Sequence, residues 1–258
     1  MPLEDDFCDI IRKARWGQGL GITDVASSAG IAPLRLEALE AGQMPSAGEV
    51  DRIAEVLSLR SAQLRAIATG SAAPWVASKV PGFSVTAVFA ADVGAFAYAV
   101  RGPLGALLVD CGGGVPELLD ALGTPPDAVL LTHGHRDHVA GLTALPHGVP
   151  VYAHPSLSGR IPGARALQDG ETLFGLKASY APGHSPDMLA FTGDGLAFVG
   201  DTIFAGSLGR ADAVASYPVL LETARRILAL PEGTRLFCGH GPVTTVAWER
   251  DHNAFPVA

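Results

Sequence analysis

The spacing of apolar residues divides the chain into a helical first part and a mixed second part. In residues 5–15, apolar side chains such as Phe7 and Ile10 recur at intervals of three and four, as on one face of a helix. Thr23 is the predicted cap of a second short helix, because its hydroxyl could accept from free backbone amides. Further helices are predicted over 24–29, 33–41, 46–58 and 61–69. We therefore predict a five-helix domain over residues 1–70.

The pattern changes after a stretch rich in small residues and proline, residues 71–82, which we interpret as a linker. From residue 83 onwards, short apolar runs separated by turn residues predict strands. Later strands alternate with predicted helices over 115–122, 217–230 and 243–253. Two sheets with helices outside them are expected from this order, as a single α/β domain over residues 83–258.

Composition limits the compartment and the partners. The chain has 258 residues, 48% of them apolar, and a net charge of -8, which argues against an extended nucleic-acid surface. Its three cysteines are far apart, as in proteins of a reducing cytosol. No signal peptide is visible, and no uncharged apolar run reaches the ~18 residues that a membrane span needs. We predict a soluble, cytoplasmic protein with no membrane partner.

Residues 130–141, LLTHGHRDHVAG, contain three of the eight histidines and an aspartate within six positions. These rings would repel one another if protonated and would leave nitrogen atoms without partners if buried. A bound cation resolves both problems, and imidazole and carboxylate suit zinc, iron or manganese. Four ligand-type residues are too many for one open ion, whereas two ions about 3.5–4 Å apart accommodate them. The candidates are His133, His135, Asp137 and His138.

Three more ligand-type residues each follow a predicted strand and a glycine: His184, Asp201 and His240. The repeated local design predicts that they join the first cluster in one site. The other histidines lack this setting and are interpreted as surface or structural residues: His147, His154 and His252.

The motif THGHRDH resembles the His-x-His-x-Asp-His signature of the metallo-β-lactamase fold, and the resemblance covers about residues 80–258. It implies an αββα sandwich, which the predicted small all-α domain of residues 1–70 precedes. It also implies a set of metal ligands: His133, His135 and His184 for one ion, Asp137, His138 and His240 for the second, and Asp201 for both. The two carboxylates, Asp137 and Asp201, are the candidate catalytic residues. Asp110, in LLVDCGG, matches a family aspartate that orients a ligand.

Within this superfamily, GDTIFAGSLGRAD and GHGPVTTVAWERDHNAF resemble segments of short glyoxalase II-type thioesterases. The resemblance implies hydrolysis of a small-molecule thioester or ester by a hydroxide formed between two divalent ions, with zinc first and iron or manganese as alternatives. Arg210 either contacts an anionic substrate or forms a surface ion pair. The alternative activities are lactone hydrolysis, phosphodiester cleavage, or metabolite sensing by a DNA-binding regulator.

Residues 7–64 resemble the Cro/repressor-type (XRE-like) helix-turn-helix domain, on residues such as Ala29, Gly30, Leu36 and Leu39. The resemblance implies DNA as a partner. However, Arg35 is nearly the only polar residue at the start of the recognition helix, and residues 1–70 contain seven Lys or Arg against ten Asp or Glu. The alternative roles are formation of a homodimer or coverage of the enzyme's surface.

Overall fold

Short helices form the N-terminal part of the computed structural model, which describes residues 2–74 and 80–257. They are α1 (Phe7–Gly17), α2 (Ile22–Ser28), α3 (Pro33–Glu40), α4 (Ala47–Val56) and α5 (Ser61–Ala68). The predicted helices are confirmed, but the predicted role of Thr23 is wrong. Gly21 precedes the first turn of α2, and the backbone N–H of Gly21 donates to the carboxylate of Asp24 (3.1 Å). Thr23 therefore lies inside the helix. Part of the predicted linker, residues 75–79, lies outside the described residues.

After residue 80, most strands of the described chain belong to two six-stranded sheets. The first sheet has the order β1-β2-β3-β4-β5-β6. Its strands are β1 (Ser84–Ala90), β2 (Ala95–Gly102), β3 (Gly105–Val109), β4 (Ala128–Leu130), β5 (Val151–Ala153) and β6 (Arg165–Ala166). The first three strands pair antiparallel, and pairing is parallel from β3 onwards.

The second sheet has the order β14-β13-β10-β9-β8-β7, with one parallel pair between β10 and β13. Its strands and the small hairpin β11–β12 are β7 (Thr172–Leu173), β8 (Leu176–Tyr180), β9 (Leu189–Gly193), β10 (Leu196–Gly200), β11 (Ile203–Phe204), β12 (Ser207–Leu208), β13 (Arg235–Cys238) and β14 (Thr244–Thr245). The sequence predicted the longer strands but not β6, this hairpin or β14, since a strand of two residues has too few positions for a recognisable alternation. The helix predicted over 243–253 begins only at Val246, after β14.

Alternation along the strands creates the layers. In β2, Phe96 and Tyr98 point into a core shared with the second sheet, whereas Ala97 and Ala99 point into a core on the opposite face. This follows from the two-residue period of a strand. The helices α6 (Val115–Leu122) and α7 (Arg136–Val139) cover the first sheet, and α8 (Tyr217–Leu228) and α9 (Val246–His252) cover the second. The predicted αββα sandwich is confirmed.

The N-terminal helices share one apolar core with α8, α9 and the outer face of the second sheet. Ile10 and Leu64 in that part of the chain belong to the same buried cluster as Tyr217 and Val246. The Arg60 guanidinium also donates to the carbonyl of Arg250 (2.8 Å). The helical part is therefore packed directly on the sandwich. Among the described residues, no helix combines the length and apolar character needed to cross a membrane.

Candidate metal centre

Four loops deliver the candidate ligands to one edge of the sandwich. The loop after β4 contains His133 and His135 and leads into α7, which carries Asp137 and His138. The other three candidate ligands follow β8, β10 and β13 in turn: His184, Asp201 and His240. Since β8, β10 and β13 run in the same direction, their C-terminal ends meet at one edge. Loops anchored by buried strands hold side chains in fixed positions.

One group of ligand atoms consists of ring nitrogens from His133, His135 and His184. Nδ1 of His135 lies 3.1 Å from Nε2 of His133 and 3.0 Å from Nε2 of His184. A single hydrogen on Nδ1 cannot satisfy both neighbours. Lone pairs therefore converge here, which is the arrangement that a metal ion requires.

The second group consists of Asp137, His138, Asp201 and His240. Oδ2 of Asp137 lies 3.3 Å from Nε2 of His240 and 3.8 Å from Nε2 of His138. Oδ1 of Asp201 lies 3.3 Å from Nε2 of His138. Oδ2 of Asp201 lies 3.3 Å from Nε2 of His240 and 3.4 Å from Nε2 of His184. Asp201 thus touches both groups.

Hydrogen bonds on the far side of the rings fix which nitrogen faces the centre. Nδ1 of His184 donates to the carbonyl of Arg210 (2.8 Å), and Nδ1 of His240 donates to the carbonyl of Gly94 (2.9 Å). A carbonyl oxygen can only accept, so the hydrogen of a neutral ring is on Nδ1 and the lone pair is on Nε2. Both lone pairs point toward the candidate metal positions.

Asp110 orients two further rings. Its Oδ2 accepts from Nδ1 of His138 (2.8 Å) and from the hydroxyl of Thr132 (2.7 Å). Because the Thr132 hydroxyl hydrogen is used there, its oxygen accepts from Nδ1 of His133 (3.0 Å). Asp110 adopts a left-handed backbone conformation (φ 58°), which aspartate tolerates better than most residues. Sequence reasoning selected Asp110 but missed Thr132, although Thr132 directly precedes the first histidine.

Burial makes the charge balance of the centre unusual. Among the described residues, Nε2 of His138 and Oδ1 of Asp201 are buried side-chain atoms without a hydrogen-bond partner. Burial lowers the pKa of His240, but the carboxylates of Asp137 and Asp201 outweigh it and raise that pKa to about 10. The hydrogen bond to His240 lowers the pKa of Asp137 to about 2. The centre therefore favours added positive charge, and these residues fit divalent cations.

Two glycines permit the close approach around Asp201. A Cβ atom on Gly239 would overlap Oδ1 of Asp201, and one on Gly209 would overlap the Asp201 carbonyl. Any side chain at these positions would displace the carboxylate from its place between the two groups. Of the two, Gly239 directly precedes the candidate ligand His240 in the sequence, whereas Gly209 lies outside the pattern of a glycine before each ligand.

Arg210 and the other three histidines belong to neither ligand group. The Arg210 side chain is exposed, and its guanidinium carbon lies 5.4 Å from the centre of the Trp16 ring. His154 and His252 lie outside both ligand groups and stack on Tyr180 and Trp248. His147 is exposed and also lies outside them.

An αββα sandwich with histidines and aspartates gathered at its sheet edge defines a class of metal-binding hydrolases. The model of the metallo-beta-lactamase superfamily matches residues 90–159 and 160–240, more than half of the chain. The chain belongs to this superfamily.

Curated relatives include the hydroxyacylglutathione hydrolase of Psychromonas ingrahamii, which is 34% identical over 146 residues, covering 52% of this chain and 56% of that protein. The chain thus spans about half the length of the hydroxyacylglutathione hydrolases that it matches. The probable metallo-hydrolase YqgX of Bacillus subtilis is 32% identical over 181 residues, covering 58% of this chain and 86% of that protein.

Solved structures agree with the fold. The BLEG-1 B3 metallo-beta-lactamase is 29% identical with a TM-score of 0.59, covering 66% of this chain and 97% of that one. TTHA1623 in a di-iron-bound form is 31% identical with a TM-score of 0.51, covering 72% of this chain and 100% of that one.

Proposed function

We propose that this protein is a dinuclear metal-dependent hydrolase that cleaves thioesters in the manner of glyoxalase II. The observation that supports it most is the position of Asp201, whose carboxylate lies within 3.4 Å of both His184 and His240. A carboxylate between two groups of ligand atoms is suited to hold two ions close together. The relatives named hydroxyacylglutathione hydrolase favour a thioester as the substrate.

The first ion would be held by the three histidines His133, His135 and His184. The second would be held by Asp137, His138 and His240, with Asp201 in contact with both. Nitrogen and carboxylate donors without a thiolate suit zinc, with iron and manganese as alternatives. The similarity to TTHA1623, whose structure is described as di-iron-bound, supports a pair of ions.

The bound ions would supply Lewis acidity, which lowers the pKa of a water molecule and polarises the substrate carbonyl. Asp201 would position the reacting water from the buried side of the centre, and Asp137 would position it from the more open side, where its side chain is 30% exposed. Asp110 and Thr132 hold the rings of His138 and His133 in place through the ring nitrogens that face away from the candidate metal positions. Protein nucleophiles are not needed, and the nearby Ser207 hydroxyl donates to Asp5 (2.5 Å).

The proposal is tested by loading the full chain with zinc and measuring hydrolysis of S-lactoylglutathione, other acyl thioesters, a lactone, a phosphodiester and a β-lactam. We expect thioesters to turn over fastest. Turnover of only the lactone or only the phosphodiester would contradict the thioesterase assignment and support the corresponding alternative.

A variant tests the proposed bridging carboxylate. Asp201→Ala should lose bound metal and hydrolysis, while its circular dichroism retains the helical signal of α1 to α5. Asp194→Ala, in the exposed turn between β9 and β10, is the matched control and should keep both metal and activity. Hydrolysis by Asp201→Ala at the wild-type rate would contradict the role of Asp201.

A further inference from the structure

His240, a candidate ligand of the second ion, lies against the N-terminal part of the chain. Oε1 of Glu4 lies 3.9 Å from Nδ1 of His240. The loop after His240 is equally close, since a Cβ atom built on Gly241 would lie 3.0 Å from the Cβ of Glu4. Gly241 adopts a left-handed conformation (φ 72°) that favours glycine, and it leaves room for Glu4 beside the ligand. The N-terminal segment is therefore a direct neighbour of the candidate metal centre.

The hairpin β11–β12 makes another contact with this histidine. The Phe204 ring is buried and packs edge-on against the His240 ring, with 5.3 Å between the two ring centres. The ammonium group of Lys13, in α1, lies 4.6 Å from the centre of the same Phe204 ring. A cation over an aromatic ring is held most strongly where water is excluded. A continuous chain of contacts thus runs from α1 through Phe204 to His240.

A buried polar network fixes Lys13 in this position. Its ammonium group donates to Asp5 (2.5 Å) and to the carbonyl of Leu208 (2.9 Å). Asp5 also accepts from the Ser207 hydroxyl (2.5 Å). The side chains of Lys13 and Asp5 are only 15% and 7% exposed, and charges buried to this extent are stable only when they are paired. The network therefore joins the N-terminal segment to the hairpin that follows Asp201.

The first group of candidate ligands is not connected in this way. Among the described residues, the hydrogen bonds, ion pairs and ring contacts of His133 and His135 involve no residue before 70. The Arg210 side chain stacks on Trp16, but His184 bonds to the Arg210 backbone. The contacts of Glu4 and Phe204 with a ligand ring therefore concern the second group.

These contacts favour a cation on the inner side of the His240 ring. Nδ1 of His240 donates to the carbonyl of Gly94 (2.9 Å), and the Glu4 carboxylate places negative charge beside that N–H group. Negative charge behind a ligand ring makes the opposite nitrogen a stronger donor to a metal ion, and fixed packing keeps the ring at one angle. Glu4 supplies the charge, and Phe204 supplies the packing.

We propose that Glu4 and Lys13 are positioning residues for the second metal ion, so that its binding depends on the docked N-terminal segment. Glu4 acts on His240 directly, and Lys13 acts through Phe204. The inference rests on the proposed dinuclear centre and assigns to the N-terminal helices a role in metal loading. No sequence motif indicated this role.

Calorimetric titration of the metal-free full chain with zinc tests the inference, because it measures the binding of each ion. Asp137→Ala removes a ligand of the second group alone, and His135→Ala removes one of the first group alone, so these variants identify the two binding steps. We expect Lys13→Met to weaken the second step about tenfold and to leave the first unchanged. Glu4→Gln should weaken the second step about threefold, a smaller effect because solvent screens this carboxylate.

A double variant separates positioning from a loss of stability. Lys13→Met alone leaves the Asp5 carboxylate buried without its ionic partner, which destabilises the fold. Adding Asp5→Asn removes that charge and keeps an oxygen that accepts from the Ser207 hydroxyl. The double variant should unfold in urea close to the wild type and still bind the second ion about tenfold more weakly. The visible absorption of the protein titrated with cobalt should change for the second ion only.

Matched controls remove charges elsewhere in the N-terminal helices. Arg12→Met alters the neighbouring position of α1, where the guanidinium bonds to Asp9 and to the carbonyl of Glu40 (3.1 Å). Glu37→Gln removes an exposed carboxylate from α3. Both controls should bind the two ions as the wild type does.

Three outcomes are decisive against parts of this account. Equal weakening of both steps in the variants of Glu4 and Lys13, or an unchanged second step, would overturn the inference. A wild type that binds only one ion would contradict the dinuclear centre, and the inference with it, before any variant is compared. Failure to hydrolyse thioesters would contradict only the proposed activity, because the titration contains no substrate.

Discussion

Replacement of Asp110 by asparagine tests whether the hydrogen bonds of Asp110 orient the candidate metal ligands. The Asp110 carboxylate accepts hydrogen bonds from the Thr132 backbone (2.7 Å), the Thr132 hydroxyl (2.7 Å) and the His138 ring (2.8 Å). In Asp110→Asn the carbonyl oxygen can keep the backbone bond. The amide group, however, is a donor and would face two donors, Nδ1 of His138 and the hydroxyl of Thr132.

The His138 ring can relieve this conflict only by moving its hydrogen from Nδ1 to Nε2. Nε2 is the atom that faces Asp201 at 3.3 Å, so its lone pair would no longer be available for a metal ion. A hydrogen bond to a charged group is worth about 1.5–3 kcal/mol. We therefore expect the affinity for zinc to fall about 10- to 100-fold, the range typical of partners that orient a metal ligand.

The assay is competition for zinc against a chromophoric chelator, with the fold of the metal-free protein followed by circular dichroism. The fold should persist, since asparagine adopts the left-handed conformation of Asp110 readily (φ 58°). Asp127→Asn is the matched control, because that exposed carboxylate accepts a hydrogen bond from the Ala106 backbone (2.8 Å) and belongs to neither ligand group. Zinc affinity in Asp110→Asn equal to that of the wild type would refute the orienting role.

Further predictions concern the crowding at Asp201, the pH dependence of stability and the N-terminal helices. Gly239→Ala should reduce zinc content more than Gly233→Ala, because a Cβ at 239 overlaps the Asp201 carboxylate whereas nothing lies within 4 Å of one at 233; equal zinc content in both variants would contradict this. Burial raises the pKa of Glu249 from 4.5 to about 7. The folded state then binds a proton more tightly than the unfolded state, so stability from this group is complete below pH ~4.5 and is lost by about 3 kcal/mol as pH rises to ~7. Urea unfolding of wild type and Glu249→Gln at pH 5 and pH 8 checks this, and a constant difference between the two proteins would be the opposing result. Arg35 is engaged with Glu49 (2.7 Å) and Gln43 (2.9 Å), so we expect no mobility shift with the protein's own upstream DNA at low salt; a specific shift would instead support the regulator hypothesis.

Local signals in the sequence were sufficient to predict the two layered sheets and the convergence of the candidate metal ligands. Buried strands such as β4 are marked by continuous apolar runs, and ligand-type residues follow them beside glycines. These are short-range patterns, and the strand ends then bring distant side chains together at one edge. The cap at Thr23 was predicted wrongly because the acceptor for the helix start comes from Asp24, which reaches back to Gly21.

The contacts between the helical part and the centre could not be predicted in the same way. Lys13 and Leu208 are 195 positions apart, and Trp16 meets Arg210 across a similar separation. Neither contact leaves a periodic or spaced pattern in the sequence, because each depends on how two packed units are placed. Coverage of the enzyme's surface was one of the roles expected for the helical part, and the shared apolar core joins this part to the second sheet.

The account rests on two ions at the edge of the sheets, and anomalous diffraction from crystals of the zinc-loaded protein tests this most directly. We predict two zinc peaks about 3.5–4 Å apart, with Asp201 between them. One peak should lie among His133, His135 and His184, and the other among Asp137, His138 and His240. A single peak, or zinc bound away from these side chains, would contradict the dinuclear site.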